Sequence, residues 1–143
     1  MIELPVTLTA TCVLGVAYAG LSVAVGRRRG QANVSLGNGP DLSIAIGEEY
    51  KAPPLLVAIR RHAQFAEYVP ISVVLLLVLE LNHANRVMLA SLAAMLVVSR
   101  TCMAMGLGRT TPNPLRSAGN LLQWGMILIA SAVGLVLATG LNQ

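Results

Sequence analysis

Apolar residues along this chain gather into four long blocks separated by short polar breaks, and none of the blocks alternates with the period of a half-buried strand. The blocks predict helices over about Leu4–Val25, Leu55–Leu81, Val87–Met105 and Ala118–Leu141. Each holds roughly the 20 mostly apolar residues that a helix needs to cross a bilayer core. The second block is mixed. Its C-terminal half, Ile71-Ser-Val-Val-Leu-Leu-Leu-Val-Leu79, is lipid-like throughout, whereas its first half reads Arg60-Arg-His-Ala-Gln-Phe-Ala-Glu-Tyr68.

Composition agrees with a membrane solvent. Of 143 residues, 55% are hydrophobic and 11% charged, against about 25% charged in soluble domains. The whole of 1–143 is expected to form one all-α domain, a four-transmembrane-helix bundle. A net charge of +4 without any basic run interleaved with aromatics argues against a nucleic-acid surface. The first block carries its basic triplet, Arg27-Arg28-Arg29, after the apolar run. A secretory signal has the reverse order, so this segment is expected to be a retained helix.

The placement of charge predicts orientation. Four spans put the 1–2 and 3–4 loops on one side and the 2–3 loop with both termini on the other. Nine of the ten basic residues lie at or near the first side, and only Arg86 lies on the second. The positive-inside rule therefore places the long loops in the cytoplasm and both termini outside. Asn82 to Arg86 is short enough to make helices 2 and 3 antiparallel neighbours. Gly37-Asn38-Gly39-Pro40 is turn chemistry, and the prolines at Pro53-Pro54 and Pro114 suit helix starts. Cys12 and Cys102 sit at different depths and read as small hydrophobes. No Cys/His cluster has metal-ligand spacing, and His83 reads as a solvated turn residue. Gly15/Ala19 and Ala130/Gly134 are small-xxx-small pairs that favour close helix packing. Tyr18 and Trp124 read as packing or interface residues.

The chemistry concentrates in the first half of helix 2. At 100° per residue Arg60, Gln64, Glu67 and Ile71 share one face, Arg61, Phe65 and Tyr68 form the adjacent stripe, and His62 sits apart. Ionisable groups inside a membrane helix cost about 2.5–3.5 kcal/mol on insertion scales, so they face partners or wet cavities. Glu67 lies about two turns deeper than Arg60, beyond bulk water. One reading is an internal network in which Glu67 neutralises an arginine; another lets the arginines snorkel to anionic headgroups. A third follows from number. Arg27, Arg29, Arg60, Arg61, Arg100 and Arg116 converge on one end of the bundle with a single local carboxylate, and such a surplus suits a carboxylate-bearing ligand.

The run Ala58-Ile-Arg-Arg-His-Ala-Gln-Phe-Ala-Glu-Tyr-Val-Pro70, with the apolar stretch ending at Glu80, resembles the helix-2 signature of the MAPEG family. These are membrane-associated proteins in eicosanoid and glutathione metabolism, and the pattern is roughly Arg-x-x-x-Asn-x-x-Glu-Tyr-x-Pro. Val34-Ser-Leu-Gly-Asn-Gly39, Arg100 followed by Gly106, and Asn113-Pro-Leu-Arg116 add to the likeness, which covers nearly the whole chain and is closest to bacterial members. The resemblance implies a homotrimer in a bacterial inner membrane, with glutathione as co-substrate between subunits near the cytoplasmic face. It implies glutathione-binding roles for Arg29, Arg60, Gln64, Glu67, Tyr68 and Arg100, and a catalytic role for Arg116 in stabilising the thiolate. A lipophilic acceptor would then enter from the bilayer. Gln64 takes the place of the family's Asn, Met103 and Met105 stand where many members have Tyr or His, and Asn33 stands where many have another arginine. The function expected is a glutathione-dependent transferase or peroxidase acting on hydrophobic electrophiles. The alternatives are a non-catalytic member that binds lipid or another anion, and a small proton-coupled transporter using Glu67.

Overall fold

The computed structural model describes residues 3–37, 53–109 and 112–140. Four helices hold most of them: α1 (Pro5–Ala32), α2 (Pro54–Leu81), α3 (Arg86–Gly106) and α4 (Pro114–Thr139). There is no strand among the described residues, and all four helices are long and apolar enough to cross a membrane. The chain is an all-helical, multi-pass integral membrane protein. Within the turn at Gly37–Pro40, residues 38–40 lie outside the described residues, as do Lys51 and Thr110.

Two helix ends differ from the hydropathy reading, each for a local reason. α1 runs past Val25 to Ala32, because arginine is a good helix former and three charges do not break a helix. At 28 residues it is about 42 Å long, against a hydrocarbon core of about 30 Å. Its charged last turns therefore reach the headgroup layer. Asn33 ends it in the left-handed region (φ 56), with Asn33 N donating to Gly30 O at 3.3 Å and Val34 N to Arg29 O at 3.1 Å. That is a Schellman closure, with Asn in the place glycine usually takes. α4 begins at Pro114, a turn before Ala118. Asn113 caps it by accepting from Leu115 N at 3.0 Å, and its amide donates to Gly106 O at 3.3 Å. One buried asparagine thus ties the end of α3 to the start of α4.

The opposite end of the bundle is held by a contact between distant parts of the chain. α1 has no side-chain cap of its own, and Pro5 has no N–H to satisfy. Glu80, at the end of α2, supplies the cap: its carboxylate accepts from Val6 N at 3.0 Å and Thr7 N at 2.8 Å. A carboxylate at a helix N-terminus meets both the free N–H groups and the positive end of the macrodipole. Glu80→Gln should destabilise the protein by about 1 kcal/mol. It should also speed hydrogen exchange at Val6 and Thr7, measurable by exchange mass spectrometry in micelles. The neighbouring turn closes with His83 left-handed (φ 55) and exposed, and Asn85 caps α3 by accepting from Val87 N at 2.9 Å.

α3 packs most extensively on α4 and α1 on α2, while α1 and α4 do not touch. Leu76, Leu79, Leu89, Leu92, Leu96 and Met126 form the centre of the core. α1 buries only Thr7, Ala10 and Leu14, so its apolar sides are left for lipid or another chain. The closest helix approaches are not at the small-residue pairs the sequence suggested. A Cβ on Gly15 would meet nothing within 4 Å, and one on Gly134 only Leu79 at 3.9 Å. The tight contacts are at Gly106, where a Cβ would lie 2.8 Å from Arg116 N, and at Gly119, where it would lie 2.7 Å from Met103 Cγ and 3.0 Å from Ser99 O. Small residues on an outward face of α1 have no neighbouring helix in the chain, whereas these two glycines set the α3–α4 spacing.

Candidate functional site

The two stripes of α2 have opposite fates. Arg60, Glu67 and Ile71 are exposed and Gln64 is half-buried, so this face turns away from the chain's own bundle. Glu67 makes no ion pair with an arginine among the described residues, so the internal neutralising network is not formed within one chain. The adjacent stripe turns inward. Arg61 donates to Leu107 O at 2.6 Å, Phe65 is buried, and Tyr68 is half-buried.

Arg100 on α3 is the centre of the inward cluster. It is only 5% exposed. One of its terminal N–H groups donates to Gln64 O at 3.3 Å, its Nε donates to Ser99 Oγ at 3.3 Å, and its Cζ lies 5.2 Å from the centroid of the Tyr68 ring. A guanidinium over a ring face is attracted by the ring quadrupole. Arg61, Gln64, Arg100 and Met103 border one small cavity. Both Gln64 Oε1 and Arg61 Nε are buried with no hydrogen-bond partner among the described residues. Arg100 also lines a larger groove of about 340 Å³ shared by α1, α2 and α3, with Leu14, Gly20, Phe65, Val97 and Ala104.

Three further polar side chains support this cluster, and the sequence reading had passed over them. Gln123 of α4 is 1% exposed and lies between two fully buried serines. Its amide nitrogen donates to Ser72 Oγ at 2.8 Å, and Ser72 in turn donates to Tyr68 O at 2.9 Å. Its amide oxygen lies 3.1 Å from Ser99 Oγ, the same oxygen that accepts from Arg100. The Ser99 proton has a second acceptor in Leu96 O at 2.8 Å. The only trace in the sequence was a polar residue in each of three apolar runs, a pattern that marks interhelical hydrogen bonding.

The remaining expected site residues lie apart. Arg116 is exposed in the first turn of α4, its backbone against Gly106. Arg29 lies inside the last turn of α1, not after it, and its guanidinium donates to Ser35 O at 3.3 Å and Gly37 O at 3.1 Å. Arg29 thus holds the start of the 1–2 loop. Met103 is a packing residue over Gly119, and Met105 is 52% exposed. Asn33 owes its place to the helix closure described above. His62 is not isolated: it stacks on Tyr18 with centroids 4.7 Å apart, and its Nε2 lies 3.0 Å from Ser22 Oγ. Trp124 is half-exposed. Cys12 and Cys102 are free thiols, the first exposed and the second half-buried.

Four helices long enough to cross a membrane, a buried arginine–tyrosine centre and exposed charges on one face of α2 together define a polytopic helical membrane protein. A sequence model described as the MAPEG family matches residues 7–136. The chain belongs to the MAPEG family. Membership supports, at the level of the family, a membrane function related to glutathione transfer. No curated protein and no solved structure matches the chain.

Proposed function

We propose that the protein is a glutathione-dependent transferase or peroxidase acting on hydrophobic electrophiles, working as a homotrimer with its basic end toward the cytoplasm of a bacterial inner membrane. The observation that carries this reading is the uncovered polar face of α2. Arg60 and Glu67 are charged, lie within a membrane helix, and are covered by none of the chain's own helices. A neighbouring subunit and a bound zwitterion would cover them together. Glutathione supplies the matching groups, with two carboxylates for guanidinium forks and an ammonium for Glu67. Arg60, Gln64, Tyr68 and Arg100 would hold the peptide. Arg29, already engaged by two loop carbonyls, would act from the rim.

Arg116 would serve the thiol. It stands in the first turn of α4, where a helix N-terminus adds its own positive potential. A guanidinium beside the thiol favours thiolate, which is the nucleophile. The thiol proton passes to water, and the sulfur forms a bond to the electrophilic carbon. From an aryl halide the halide departs with the bonding electron pair; in an activated alkene the π pair moves to the neighbouring carbon, which takes a proton from water. With a hydroperoxide, the thiolate attacks the terminal oxygen, the O–O bond breaks, and the alkoxide takes a proton from water and leaves as the alcohol. The sulfenic acid so formed is reduced by a second glutathione, giving glutathione disulfide and water. The acceptor reaches the site through the lipid, which suits an exterior as apolar as this one.

The test is turnover by the purified protein in detergent, with glutathione and a panel of apolar aryl halides, activated alkenes and lipid hydroperoxides. Conjugate formation or peroxide reduction above the uncatalysed rate is expected for at least one class. Glutathione binding without turnover across the panel would instead favour a non-catalytic anion-binding member. The buried Met103 gives that second reading its support, since it puts a side chain without a hydroxyl or imidazole where many members have Tyr or His.

A further inference from the structure

We propose that Gln123 is a positioning residue for the anion site. Through Ser99 it sets the guanidinium of Arg100, and through Ser72 it sets the turn of α2 that carries Tyr68. The inference rests on the reading that Arg100 faces bound glutathione. It assigns a role to three residues that no ligand need touch.

The geometry forms a directed chain. Gln123 gives a proton at one end of its amide, to Ser72, and offers its oxygen at the other, toward Ser99. Ser72 passes its proton to Tyr68 O, and the Ser99 oxygen receives Arg100 Nε. One arm therefore ends on the cation and the other on the backbone carbonyl of Tyr68, the residue whose ring the cation covers. Ser72 and Ser99 are fully buried, so no water competes for these bonds, and hydrogen bonds in such surroundings are strong and direction-setting. Packing alone does not require the arrangement. A hydrophobic side chain at 123 would fill the space without three polar groups having to be paired inside a membrane protein. What the polar chain adds is orientation. A guanidinium has five N–H donors in a rigid fork. Fixing Nε against Ser99 and one terminal N–H against Gln64 O fixes the plane in which the others meet a carboxylate. Small misplacements of such groups lose binding and rate far beyond the bond removed.

The experiment compares Gln123→Leu, Ser99→Ala and Ser72→Ala with the wild-type protein in detergent. Three readouts are taken: glutathione affinity by calorimetry, melting temperature, and the rate at which phenylglyoxal modifies Arg100, followed by mass spectrometry without ligand. Gln123→Leu and Ser99→Ala should weaken glutathione binding about tenfold and raise Arg100 labelling several-fold. Ser72→Ala, which leaves the Ser99 arm intact and loosens only the turn carrying Tyr68, should weaken glutathione binding about threefold and change Arg100 labelling by less than about twofold. Should Gln123→Leu fail to fold, Ser99→Ala carries the test alone, since it removes only an oxygen. Labelling and affinity unchanged in a well-folded Ser99→Ala protein would overturn the proposal. A wild-type protein that does not bind glutathione, yet shows faster Arg100 labelling after Ser99→Ala, would overturn the glutathione reading and support the positioning of Arg100.

Discussion

An Arg116→Gln protein should fold and assemble like the wild type and lose conjugating turnover by about two orders of magnitude, the usual effect of removing one group that stabilises a developing anion. Its side chain is exposed, and what the packing needs from this residue is its backbone, which lies against Gly106. Glutamine keeps polarity and much of the length while removing the charge that favours thiolate. The loss should appear in kcat, with the KM for glutathione changed less than threefold, because the peptide's carboxylates and ammonium are assigned to Arg60, Glu67 and Arg100. Steady-state kinetics with the best electrophile, beside a melting curve of the same preparation, checks both halves. An equal loss in stability would mean that Arg116 is structural.

Gly119→Leu should have the largest effect on the fold. A Cβ there already falls 2.7 Å from Met103 Cγ, 3.0 Å from Ser99 O and 3.1 Å from Met103 N. The methionine side chain can move, but the two backbone atoms can do so only if α3 and α4 separate. Overpacking of a well-filled core costs about 1–3 kcal/mol, and more where backbone must shift. A leucine here should exceed ~3 kcal/mol and lower the melting temperature or the folded yield sharply. Because Ser99 lies in the same contact, Arg100 labelling should rise as well. Gly15→Leu, whose Cβ would meet no neighbour within the chain, is the control and should leave the melting temperature of the single bundle unchanged.

These two glycines mark where the sequence was readable and where it was not. The four spans follow from apolar runs alone, because lipid allows few other sequences to cross it. Their ends were less legible. Arg27–Arg29 looked like a boundary on hydropathy, yet Asn33 in a left-handed conformation ends α1. Asn113 and Pro114 start α4 ahead of its apolar run. Those are chain-geometry signals, and hydropathy does not register them. The charged half of α2 was legible because charge is scarce in membrane helices. Its division into an Arg60/Glu67 face and an Arg61/Tyr68 stripe also follows from helical phase, but which of the two turns inward is set by packing. The contacts between helices did not follow. Glu80 caps α1 from 74 residues away, and Gln123 meets serines on two other helices. Nothing in local spacing shows which glycine or which polar residue will find a partner across the bundle.

Whether the cationic end of this bundle is a glutathione site is decided by titration calorimetry of the wild-type protein in detergent with reduced glutathione. Saturable binding with a matching rise in melting temperature is expected, both abolished when Arg60 and Glu67 are replaced together by glutamine. No heat and no stabilisation at millimolar glutathione, in a preparation where an established MAPEG enzyme responds alongside, would contradict it.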